Sequence, residues 1–104
     1  MAIQLDAESL DEVKRILAFH APGVRTWVFG SRATGTARRF SDLDIALESD
    51  KPIAYRTISK LEHAFSESDL PIRVDVVDWN ALEPEFREVV GAQRVPLFEE
   101  PAAE

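Results

Sequence analysis

A run rich in β-branched and aromatic residues, Val24 to Phe29, and a run of alternating pattern, Asp42 to Leu47, are separated only by a short polar insert. A third run, Ile72 to Val77, follows a full helical stripe. This uneven spacing is the strongest constraint on the fold. A close pair of strands joined by a short insert does not fit a regular doubly wound sheet, in which a helix separates successive strands.

The helical segments complete the pattern. Leu10, Val13, Ile16 and Leu17 recur at helical spacing between about Asp6 and His20, and Ala21-Pro22-Gly23 ends that stretch. Asp6 or Ser9 can cap it, with Glu12 completing a capping box from Ser9. Ser31 to Gly35 reads as a short helical turn. Tyr55, Ile58, Leu61 and Phe65 share one stripe of the next helix. Asn80 and Glu83 form a second capping box before Leu82, Phe86, Val89 and Val90, and Val95 to Phe98 suits an edge strand that tolerates Pro96. The expected class is α+β: a small mixed β-sheet packed against helices. The expected domain spans 1–98, and 99–104 reads as a solvated C-terminal tail.

Composition narrows the chemistry. The 104-residue chain has no cysteine, which excludes disulfides and thiolate metal sites. His20 and His63 are too few and too scattered for a zinc site, and read as surface or helix-end residues. A net charge of −7 disfavours binding of long nucleic acid by this chain alone. No apolar run approaches the roughly 20 residues of a membrane span, and the first residues lack a basic start and apolar core. The reading is a cytoplasmic protein without a membrane partner.

Against that background, carboxylates inside apolar strands need a reason, because aspartate is depleted there. Asp42 and Asp44 fall at i and i+2 of the second run, so both face one side with Ala46 while Leu43, Ile45 and Leu47 face the other. Held together in a partly dry site they repel, and a divalent cation removes the conflict. Taken alone, the pair reads more simply as the hydrated end of a strand. Gly30-Ser31 adds phosphate chemistry: backbone N–H groups at a strand-to-helix turn, and a glycine that admits close approach. By itself it is also an ordinary turn capped by Ser31. Asp75 is a third strand carboxylate that completes a cluster if its strand pairs with the second. Asp78 is its rival, placed at a strand end where a turn role is favoured. Arg32, Arg38 and Arg39 flank the turn, either neutralising phosphates or forming an exposed basic loop. Trp27 and Trp79 read as core or interface aromatics rather than a base-stacking platform.

The stretch Gly30-Ser31-Arg32-Ala33-Thr34-Gly35, followed by Ser41-Asp42-Leu43-Asp44-Ile45 and by Asp75 on a later strand, resembles the signature of the DNA polymerase β nucleotidyltransferase superfamily. The short length is similar to its minimal nucleotidyltransferase, or MNT, branch. The resemblance implies a nucleotidyltransferase fold with Asp42, Asp44 and Asp75 as catalytic residues and metal ligands. It implies Gly30, Ser31 and Arg32 at the nucleotide, two Mg²⁺ ions, and an NTP substrate, ATP above the others. It further implies transfer of AMP to a hydroxyl of a partner protein. The expected partner is a helical HEPN-type toxin, for which this chain would be the antitoxin. A homo-oligomer is compatible with the sequence. Two other readings stand beside this one: a non-catalytic module that masks its partner, and a transferase acting on a small-molecule hydroxyl.

Overall fold

The backbone punctuation of the sequence fixes where its elements begin and stop. In the computed structural model, which describes residues 3–98, helix α1 spans Ala7–His20 and strand β1 spans Arg25–Phe29. A one-turn helix α2, Ser31–Thr34, follows, then strand β2, Leu43–Glu48, and helix α3, Tyr55–Ser66. Strand β3, Val74–Asp78, leads through a 3₁₀ turn, Trp79–Ala81, into helix α4, Pro84–Gln93, and strand β4, Val95–Pro96. The tail expected at 99–104 lies outside the described residues.

Four strands form one mixed sheet in the order β3-β2-β1-β4. β1 runs antiparallel to both β2 and β4, whereas β2 and β3 are parallel, with α3 as the crossover between them. The α+β class read from the sequence is therefore the observed one. Its cause is as expected: the short insert brings β1 and β2 side by side as antiparallel neighbours.

Period-two alternation divides the sheet into two faces. Val28, Leu43, Ile45, Leu47, Val74 and Val76 join Val13, Ile16, Leu17, Leu61 and Phe65 from α1 and α3 in the main core. Leu17, Leu43, Ile45, Leu47 and Leu61 are almost fully buried, and each such side chain contributes about 1.5–3 kcal/mol of transfer free energy. The opposite face is thinner. There Phe29 and Ala46 of the sheet are buried together with Val90 of α4, with Trp27, Val77, Trp79 and Leu82 packed around them.

Several local expectations shift. Asp6 alone caps α1, accepting from the Ser9 N–H at 3.0 Å, while Glu12 turns along the helix to pair with Arg15 at 2.7 Å. β2 begins at Leu43, so Asp42 sits just before the strand. The capping box from Asn80 to Glu83 is not formed. Asp78 accepts from the Asn80 N–H at 3.0 Å and starts the 3₁₀ turn, and α4 begins afterwards at Pro84 without a side-chain cap. Pro84 needs none of the first-turn hydrogen bonds and presets φ for the helix.

Candidate active site

β1 ends at Phe29 because Gly30 adopts φ 77° and ψ −159°, a conformation open in practice to glycine alone. The chain turns there into α2, and Gly35 closes the turn in the left-handed region at φ 83°. Ala33 and Thr34 donate their N–H groups back to the Gly30 carbonyl at 3.0 and 3.1 Å. The N–H groups of Ser31 and Arg32, at the start of the turn, have no carbonyl within the helix to accept them. The Ser31 hydroxyl likewise makes no hydrogen bond to the protein among the described residues.

The carboxylates gather beside this turn because of strand register. Phe29 pairs with Asp44 across the antiparallel β1–β2 ladder, and Asp44 pairs with Asp75 across the parallel β2–β3 ladder. Asp44 and Asp75 therefore stand at one level on one face, the face that carries Ala46 and α4. Asp42, two residues before Asp44, completes the group, and Arg73 donates to it at 3.4 Å. Asp42 and Asp44 are half-buried, whereas Asp75 is exposed. Burial pushes the Asp44 carboxyl up to about 6, aided by the negative charges of Asp75 and Asp42 and opposed by Arg73. Two hollows of about 550 and 420 Å³ lie elsewhere, along α1 and the segment after α3, and contain neither this cluster nor the α2 turn. The carboxylates are marked instead by the electrostatic frustration at Asp44.

Among the described residues, no group of three His, Cys, Asp or Glu side chains converges tightly enough to hold a metal ion by itself. The donor set is nevertheless of the right kind for magnesium. That ion takes oxygen from one or two carboxylates and fills its remaining positions with phosphate and water. A divalent cation would also relieve the repulsion that raises Asp44.

The basic residues divide differently from the expectation. Arg32 is buried, and its guanidinium is committed to four backbone carbonyls: Gln4 at 2.6 Å, Ser41 at 3.0 Å, Arg39 at 3.2 Å and Arg38 at 3.4 Å. It clasps the loop between Gly35 and Asp42 rather than reaching toward a triphosphate. Arg38 and Arg39 are exposed, with Arg39 lying over the Phe40 ring at 5.2 Å. Asp78 is buried and accepts from the Ile53 and Asn80 N–H groups at 2.9 and 3.0 Å, which makes it a structural residue. Trp27 and Trp79 sandwich the Arg94 guanidinium at 4.0 and 4.4 Å, so ring faces that could have stacked a base are already engaged. One neighbour of the site is not legible in the sequence: Gln93, whose side-chain oxygen accepts from the Gly30 N–H at 3.0 Å.

This site can be set beside known proteins. Residues 11–102 match the family described as polymerase beta, nucleotidyltransferase. A Haemophilus influenzae protein named probable protein adenylyltransferase MntA is 43% identical over 97 residues, covering 93% of this chain and 85% of that protein. A solved structure described as a putative minimal nucleotidyltransferase shares 33% identity and a TM-score of 0.66, covering 86% of this chain and 89% of the other. A chain of a toxin-antitoxin complex with AMP-PNP superposes with a TM-score of 0.73 at 25% identity, covering 88% of this chain and 73% of that one. The family match over most of the chain, together with 43% identity to that relative, makes this protein a member of the polymerase β nucleotidyltransferase family.

Proposed function

We propose that this chain transfers AMP from ATP to a hydroxyl of a partner protein in the cytoplasm, and that the partner is a HEPN-type toxin which the modification silences. The observation that carries the reading is the placement of Asp42, Asp44 and Asp75 on one side of the sheet, beside a turn with unengaged N–H groups. The relative named as a protein adenylyltransferase and the toxin-antitoxin chain with AMP-PNP support it.

In this reading the Ser31 hydroxyl and the Ser31 and Arg32 N–H groups hold the β- and γ-phosphates, while Arg32 keeps the loop in place from beneath. Asp42 and Asp44 would bind the magnesium that accompanies the triphosphate, and Asp75 a second ion on the acceptor side. Bound magnesium supplies positive charge where the phosphates gain negative charge. The acceptor oxygen attacks the α-phosphorus, and the bond from that phosphorus to the bridging oxygen of the β-phosphate breaks. Pyrophosphate leaves, and the hydroxyl proton passes to the exposed Asp75 carboxylate and from there to water.

The test is the intact mass of the partner after incubation with ATP and Mg²⁺, scored beside the partner's activity. Wild type should add one or more AMP masses and silence the partner. Asp75→Asn should still bind ATP but add none, because the loss falls on the chemical step. Silencing by both proteins without added mass would overturn the transferase reading in favour of masking.

A further inference from the structure

We infer that Gln93 is a positioning residue for the phosphate turn, acting through Gly30. The argument starts from the β1–β4 ladder. Trp27 pairs with Pro96 and Val28 with Val95, and the Leu97 N–H donates to the Thr26 carbonyl at 3.1 Å. In an antiparallel pair, hydrogen-bonded positions recur every second residue. Thr26 with Leu97 is such a position, Val28 with Val95 is the next, and Gly30 with Gln93 would be the one after.

At that last position the backbone cannot continue the ladder, because Gln93 is the final residue of α4. Its side chain does so instead, with Oε1 taking the Gly30 N–H at 3.0 Å where a strand carbonyl would have stood. The far end of this brace is anchored. The next residue, Arg94, lies between Trp27 and Trp79, and its Nη1 donates to Glu48 at 3.4 Å. Glu48 also accepts from Trp27 Nε1 at 2.8 Å. The near end matters because Gly30 is both the hinge that aims the Ser31 and Arg32 N–H groups and the residue packed against Asp44. Without the acceptor, nothing else in the described structure holds the Gly30 N–H, and the turn can rotate about it.

The inference rests on the proposed nucleotide site, so its test has one arm that does not depend on nucleotide. In the full chain, Gln93→Met keeps the length of the side chain and removes the acceptor, while Gln93→Glu keeps an acceptor. Hydrogen exchange at the Gly30 amide, followed by NMR, should be about tenfold or more faster in Gln93→Met and close to wild type in Gln93→Glu. Calorimetric titration with ATP and Mg²⁺ should show affinity about five- to tenfold weaker for Gln93→Met, with a thermal midpoint within a few degrees of wild type. Unchanged Gly30 exchange in Gln93→Met would overturn the inference, as would faster exchange with unaltered ATP affinity. Wild type that binds no ATP would overturn the proposed nucleotide site instead, and the exchange arm would still decide whether Gln93 braces Gly30.

Discussion

Gly30 and Asp44 occupy each other's space: a Cβ built on Gly30 would overlap Oδ2 of Asp44 and stand 3.2 Å from its Cγ. The glycine of the turn is thus required twice, by its positive φ and by the carboxylate against it. Gly30→Ala should therefore lower stability by about 2–4 kcal/mol, combining backbone strain with steric overlap. Adding Asp44→Ala should recover the steric part, leaving the strain. Denaturant unfolding of the two single variants and the double variant checks this, and strictly additive losses would contradict the contact.

The raised Asp44 carboxyl fixes the sign of a pH effect. With its folded value at about 6 and its unfolded value near 3.8, the folded protein binds more protons than the unfolded one between those limits. Asp44 should therefore make the ligand-free protein less stable as pH rises from about 4 to about 7, with the penalty complete above that range. Solvent at this half-buried group keeps the effect below what the full shift would give. Thermal midpoints of wild type and Asp44→Asn, compared at pH 4.5 and 7.5, should show the variant gaining clearly more stability relative to wild type at the higher pH.

Arg32 holds four carbonyls from a buried position, a task suited to a planar fork of donors. Arg32→Lys should cost about 2–4 kcal/mol, because an ammonium cannot serve all four and leaves buried acceptors unpaired. Chemical denaturation measures the loss. A Lys variant as stable as wild type would show that the loop needs no such clasp.

Ser31 presents the opposite case. Since its hydroxyl makes no hydrogen bond among the described residues, Ser31→Ala should leave the thermal midpoint of the free protein unchanged. It should weaken ATP binding by roughly 0.5–3 kcal/mol, the contribution of one hydrogen bond to a charged group. Thermal shifts with and without ATP and Mg²⁺ separate the two effects. A folded Ser31→Ala protein with wild-type ATP affinity would remove the hydroxyl from the site.

Residues that act through period and register are legible in the amino-acid sequence. Asp42, Asp44 and Asp75 stand out because carboxylates break apolar strands, and Gly30 because it ends one. Residues whose role depends on a distant partner are not legible in this way. Arg32 resembles a phosphate ligand because the sequence shows its charge but not the carbonyls of Gln4, Arg38, Arg39 and Ser41 that fold around it. The capping box at Asn80 and Glu83 fails for a similar reason. Asp78, drawn into the end of β3, reaches the Asn80 N–H first. Gln93 gives no signal, because its meaning comes from the register of β1 against β4, 63 residues away in the chain.

The sandwich of Arg94 between Trp27 and Trp79 also has an optical consequence. These are the only two tryptophans in the chain, and both indole rings lie against the same guanidinium at the end of α4. Excitation of tryptophan therefore interrogates one small region, which adjoins Gln93 and hence the Gly30 turn. A ligand that settles on the turn, or a partner that leans on α4, should alter the emission of both rings together. The protein carries its own fluorophore at the seam between α4 and the Gly30 turn, with no label required.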